Sequence, residues 1–235
     1  MKKVGFARRI KLEWLDKVVE FYKNEKDVKK IKDELDAFLV DQVKSKVNRG
    51  KSIDVLISSW VDVPEEFKYL RDKAVVLFDK VSEGEKKFIH WFMLISAFPL
   101  FSDISTVIGK LLSIQEEFKL DTVRQRIFEI WGERSTVKFS TDKIISSMVE
   151  WGVLSKAQKP GIYKKANTIE IKNKELKLLF LEVYLKSNKK SFISYAEIDK
   201  LYVIFPFELS FELGDFYDSP VLNVNKMGDN TVIVI

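Results

Sequence analysis

The chain holds one histidine, His90, and no cysteine. Any Ser-His-Asp relay must run through His90, which sits between Ile89 and Trp91 in the most apolar stretch, Phe88 to Phe101. A histidine in that setting reads as a packed core or interface residue. One histidine without thiolates also leaves too few ligands for a structural or hydrolytic zinc. The 9 glycines are scattered singly, and neither Gly-x-x-x-x-Gly-Lys nor Gly-x-Gly-x-x-Gly occurs, so no loop is built to cradle a nucleotide phosphate. One nuclease-like fragment exists. Ile169-Glu170-Ile171-Lys172 puts an acid and a lysine two apart on a possible strand, facing one side. Metal-dependent nucleases use such a pair to hold the cation and position water. They also need an acid from the preceding strand, and none lies between Gly152 and Ile169. The expectation is a chain with no catalytic residues, no cofactor and no metal.

Charge carries more information. Net charge is +5 over 235 residues, but residues 1–50 carry +5, 51–150 carry −2, 151–200 carry +6 and 201–235 carry −4. Clustered positive charge suits a polyanionic partner. Hydrophobic content of 46%, with 18 Phe and 5 Trp, is enough for a sizeable core. The N-terminal stretch Met1 to Arg9 has charges but no apolar run behind them, and Phe88–Phe101 is too short for a bilayer span. The expectation is a cytoplasmic protein without a membrane segment.

The elements that position these groups follow from apolar spacing. Trp14, Leu15, Val18, Phe21 and Tyr22 share a helical face, as do Val28, Ile31, Leu35, Phe38 and Leu39. Pro64-Glu65-Glu66 is a helix start, Gly84 reads as a break, and Asp103 reads as a cap for a helix through Leu112. Residues 1–118 are therefore expected to form a helical bundle. Glu175 to Lys186 reads as a further helix, Phe207 to Leu213 alternates like a half-buried strand, and Met227-Gly228-Asp229-Asn230 reads as a hairpin turn. The expected fold class is mainly α with a smaller β part.

Between these lies the stretch that points to a partner. Asp121 can cap a helix whose apolar face is Val123, Ile127, Ile130 and Trp131, and Gly132 ends it. Glu133 to Phe139 reads as a turn, and Ser140 or Thr141 as the cap of a second helix. That helix turns Ile144, Ile145, Met148 and Trp151 inward and Lys143, Ser146, Ser147 and Glu150 outward. Gly152 falls where a left-handed C-cap is expected. Val153-Leu154 and Ile162-Tyr163 follow as two strands around Lys159-Pro160-Gly161. This order over residues 119–170 resembles a winged helix-turn-helix, with residues 171–235 as an α+β C-terminal region.

The resemblance implies a non-catalytic protein that docks on double-stranded DNA. Arg124, Arg126, Arg134, Lys138 and Lys143 are then candidates for phosphate contacts, and Ser140, Thr141 and Ser147 for closer ones. Lys156, Lys159, Lys164 and Lys165 would grip the adjacent backbone from the hairpin. The region from Glu85 through Phe88-Ile89-His90-Trp91, Phe101-Ser102-Asp103, Arg134, Ser140-Thr141 and Lys143 to Met148-Val149-Glu150-Trp151-Gly152-Val153-Leu154 resembles the small helical winged-helix component of bacterial BREX phage-defence systems. That family is regarded as DNA-binding without catalysis. Many winged helices serve only protein contacts, and the apolar Thr231 to Ile235 would need a covering partner if left bare. The alternative expectation is therefore a scaffold subunit that binds other proteins and not DNA.

Overall fold

The computed structural model describes residues 4–235, so Met1, Lys2 and Lys3 of the charged N-terminal stretch lie outside it. Six helices come first among the described residues: α1 (Leu12–Asn24), α2 (Val28–Leu39), α3 (Lys46–Trp60), α4 (Glu65–Phe78), α5 (Glu83–Ala97) and α6 (Pro99–Leu112). Their starts are chemically marked. Asp27 and Ser45 accept backbone N–H bonds from Lys30 and Asn48, and Ser82 and Glu85 form a reciprocal capping box. Two boundaries differ from expectation. Gly84 lies inside the first turn of α5, and α6 begins at Pro99, whose missing N–H costs nothing at a first helical position. Asp103 is thus mid-helix, where it accepts a 2.7 Å bond from the Trp131 indole.

α5 is the axis of the molecule. Phe88 packs on Phe180 and Phe207, and Trp91 packs on Phe101, Trp151 and Phe205. The Trp91 indole N–H donates to the Val203 carbonyl at 2.8 Å. Glu85 receives amide bonds from Lys172 and Asn173 at 3.2 and 2.9 Å. Buried residues of all three segments expected from the sequence belong to one hydrophobic cluster.

After α6 the chain forms β1 (Glu117–Lys119), α7 (Leu120–Trp131), α8 (Ser135–Glu150), β2 (Leu154–Lys156) and β3 (Ile162–Lys165). The strands make an antiparallel sheet in the order β1-β3-β2. The chain then runs through β4 (Ile169–Glu170), α9 (Lys174–Ser187), β5 (Phe192–Ser194) and α10 (Tyr195–Ile198) to a 3-10 turn at Tyr202–Ile204. β6 (Phe207–Glu208), α11 (Gly214–Tyr217), β7 (Asn223–Met227) and β8 (Asn230–Val234) complete it. β4 pairs with β6 in parallel, and β5, β8 and β7 form a sheet with β8 in the middle.

The fold is mainly α with a smaller β part. The alternation over 207–213 does bury Phe207 and Phe211, but only two of its residues join a ladder. Gly228, at φ 62°, takes the first central position of the β7–β8 turn, a conformation glycine adopts without penalty. Central placement of β8 leaves Val232 and Ile233 buried between paired strands, so the apolar run that motivated the scaffold alternative is covered by its own chain. The order helix, strand, helix, helix, hairpin over α6 to β3 recurs over α9 to β8 with the same strand order, but there the 3-10 turn and β6 are inserted between α10 and α11. In the second stretch α10 and α11 are each only four residues long. Among the described residues no helix is long and apolar enough to cross a membrane.

Candidate nucleic-acid interface

The turn between α7 and α8 is much shorter than the sequence indicates. It spans Gly132 to Arg134, and Thr136-Val137-Lys138, Phe139 and Ser140 are all helical. Val137 has the apolar spacing to Thr141, Ile144 and Met148 that continues the buried stripe, which explains the earlier start. Gly152, at φ 70°, ends α8 as expected, and the Val153 N–H reaches back to the Met148 carbonyl at 3.1 Å.

Three hydroxyls of α8 are turned away from solvent. Ser140, Thr141 and Ser147 are buried, which corrects their assignment as close DNA contacts. The Thr141 hydroxyl donates to the Val137 carbonyl, and the Ser147 hydroxyl donates to the Lys143 carbonyl. Ser147 Oγ also accepts the Ile10 N–H at 2.8 Å, and the Trp151 indole donates to the Ile10 carbonyl at 2.9 Å. The segment before α1 therefore lies along one flank of α8 like a strap. The outward face that remains carries Ser135, Thr136, Lys138, Phe139, Asp142, Lys143, Ser146 and Glu150.

Two acids on that face would repel a polyanion, and each is matched by an arginine from a neighbouring element. Asp142 takes a two-pronged pair of bonds from Arg124 of α7, both at 2.8 Å, and Arg124 also donates to Asp121 at 2.7 Å. Glu150 lies 3.7 Å from Arg9 of the strap. Hydrogen bonding to Asp142, with a further bond to Asp121, raises the Arg124 pKa above its ordinary value against the opposing effect of burial. Arg124 is thus saturated by carboxylates, which corrects its assignment as a phosphate contact. Its role on this face is to cancel Asp142. Arg134 is half-buried and donates to the Trp131 carbonyl, whereas Arg126 and Lys138 are exposed. Lys143 stands 4.9 Å from the Phe139 ring centre.

All four hairpin lysines are exposed, but they do not share a face. Residues paired across an antiparallel ladder point the same way. Lys164 is paired with Glu117 and Ser155 on the outer face, together with Lys119 opposite Ile162. Lys156 and Lys165 belong to the inner face with Phe118 and Tyr163, and Lys165 borders a shallow cleft beside Leu112 and Glu116. Lys159 occupies the connecting turn. Lys119, Arg8 and Arg9 were missed by sequence reasoning. β1 was hidden between two helices, and nothing local ties residues 8 and 9 to residue 139 or 150.

No known family, curated protein or solved structure matches this chain.

The other candidate chemistry is dispersed. His90 is buried, with the Trp60 indole donating to its Nδ1 at 3.1 Å. An indole N–H can only donate, so the imidazole proton sits on Nε2 and faces Asp16 Oδ1 at 3.0 Å. Burial lowers the His90 pKa, partly opposed by hydrogen bonding to Asp16. Acid therefore protonates this histidine in the unfolded chain first, so stability is lost as pH falls below about 6.5. Denaturant titrations at pH 7 and pH 5 should show the parent losing more stability than His90→Gln over that interval. Equal losses would contradict the assigned proton state. Glu170 and Lys172 form an exposed ion pair at 3.3 Å, with Glu208 of β6 in register beside Glu170. No group of three or more potential metal ligands gathers among the described residues.

Proposed function

We propose that this chain is a non-catalytic protein that binds double-stranded DNA through a winged helix-turn-helix formed by residues 99–165. The observation that carries this reading is the pairing of both acids on the α8 face with arginines, Asp142 with Arg124 and Glu150 with Arg9. What remains on the α8 face is the positive charge of Lys138 and Lys143, with Arg126 exposed on α7. The β1-β3-β2 sheet beside it adds Lys119, Lys159 and Lys164. A helix in this position, preceded by a short turn and followed by a basic hairpin, suits a duplex groove with phosphates on either side. The resemblance to the BREX component extends the reading to a cytoplasmic protein of a phage-defence system.

Gel retardation of a duplex at 50 and 200 mM salt tests it. Neutralising several phosphates releases counterions, so affinity should fall by a factor on the order of 10³ across that interval. No retardation at the lower salt would remove the proposal. Affinity indifferent to salt would argue for a partner other than a polyphosphate.

A further inference from the structure

We propose that Phe139 is the base-reading residue of this surface and that it recognises the 5-methyl group of thymine in the major groove. The inference rests on the duplex-binding reading above and adds what that surface discriminates. Phe139 is 43% exposed and is the large apolar side chain that α8 leaves open to solvent. It lies on the outward face, one turn before Lys143, while Ser140, Thr141 and Ser147 are buried.

The surroundings of the ring decide what it can touch. The Arg8 guanidinium lies 5.7 Å from the ring centre and the Lys143 ammonium 4.9 Å. Arg8 is held there by bonds to the Ala7 carbonyl at 2.6 Å and Asn48 Oδ1 at 2.8 Å. Cations standing over an aromatic ring are attracted to its negative face and occupy the area that a stacked base needs. With two cations standing over the ring, the contact we assign to it is through its edge. In a duplex major groove the apolar feature available to such an edge is the thymine methyl. The same two cations face the phosphates and acceptor atoms that line that groove, which supplies charge complementarity around the apolar contact.

The test uses the full chain and two duplexes of one A·T-rich sequence, with every thymidine replaced by deoxyuridine in the second. Fluorescence anisotropy should show the thymine duplex bound about threefold to tenfold more tightly, the effect of burying one or two methyl groups. Phe139→Ala should bind both duplexes equally. Its melting temperature should match the parent, since the ring lies outside the core. Equal binding of the two duplexes by the parent would overturn the thymine inference and leave the duplex reading intact. Binding of neither duplex would overturn both. A preference for the single strand that disappears in Phe139→Ala would replace methyl recognition with base stacking.

Discussion

Trp151→Ala should destabilise the fold by about 3–5 kcal/mol, the range for removing a fully packed tryptophan. Trp151 closes α8, packs edge-on against Trp91 at 6.3 Å, and lies 6.1 Å from Phe101. Its loss leaves a cavity where α5, α6 and α8 converge. It also leaves the buried Ile10 carbonyl without its donor, a further cost of about 1–3 kcal/mol if no water enters. Chemical denaturation monitored by the remaining tryptophans measures the effect. A change under about 1 kcal/mol, the ordinary size for a surface substitution, would mean that the strap and the core are not joined at this residue. Trp151→Phe separates the two contributions, because it keeps much of the packing and removes the indole donor.

Reversing charge at Arg126, Lys138 and Lys143 together should weaken duplex binding by at least about a hundredfold at moderate salt. The slope of log affinity against log salt should fall by roughly 0.9 for each phosphate no longer neutralised. Arg126 and Lys138 are exposed, and Lys143 lies over the Phe139 ring at the surface, so the triple variant should keep its fold. Lys159→Glu with Lys164→Glu should have a smaller effect, because Lys164 already faces Glu117 across the ladder. Arg124→Gln is the informative contrast. It removes a residue already committed to Asp142 and Asp121, yet it should still weaken binding by leaving Asp142 uncancelled on the α8 face. Undiminished affinity in the triple variant would move the DNA surface elsewhere on the molecule or remove it.

The helices of the first 112 residues were legible because their apolar stripes are long and repeat at helical spacing. The basic hairpin was legible too, since Lys159-Pro160-Gly161 has few conformations open to it. The α7–α8 turn was not. Ser140 and Thr141 have the residue types of an N-cap, and only burial of Val137 shows that the helix has already begun. The N-cap is Arg134, six residues before Ser140, so Ser140 and Thr141 lie on a buried flank of the helix and Phe139 on an exposed one, while Ser147 is covered by the segment before α1. The pairing of Asp142 with Arg124 spans 18 residues and that of Glu150 with Arg9 spans a far longer stretch, so neither registers in a local pattern. The repeated strand order was equally invisible, because the second stretch keeps it with two four-residue helices and the inserted β6.

The two hydrogen bonds at Ile10 join positions 137 and 141 residues apart. Such a closure is slow to find and local to nothing. The cationic helix therefore cannot be lifted out as a graft. A peptide cut at residue 113 would strip Ser147 and Trp151 of Ile10, Trp91 and Phe101 and forfeit Arg8 and Arg9. Transplanting this surface onto another scaffold demands that the segment before α1 travel with it.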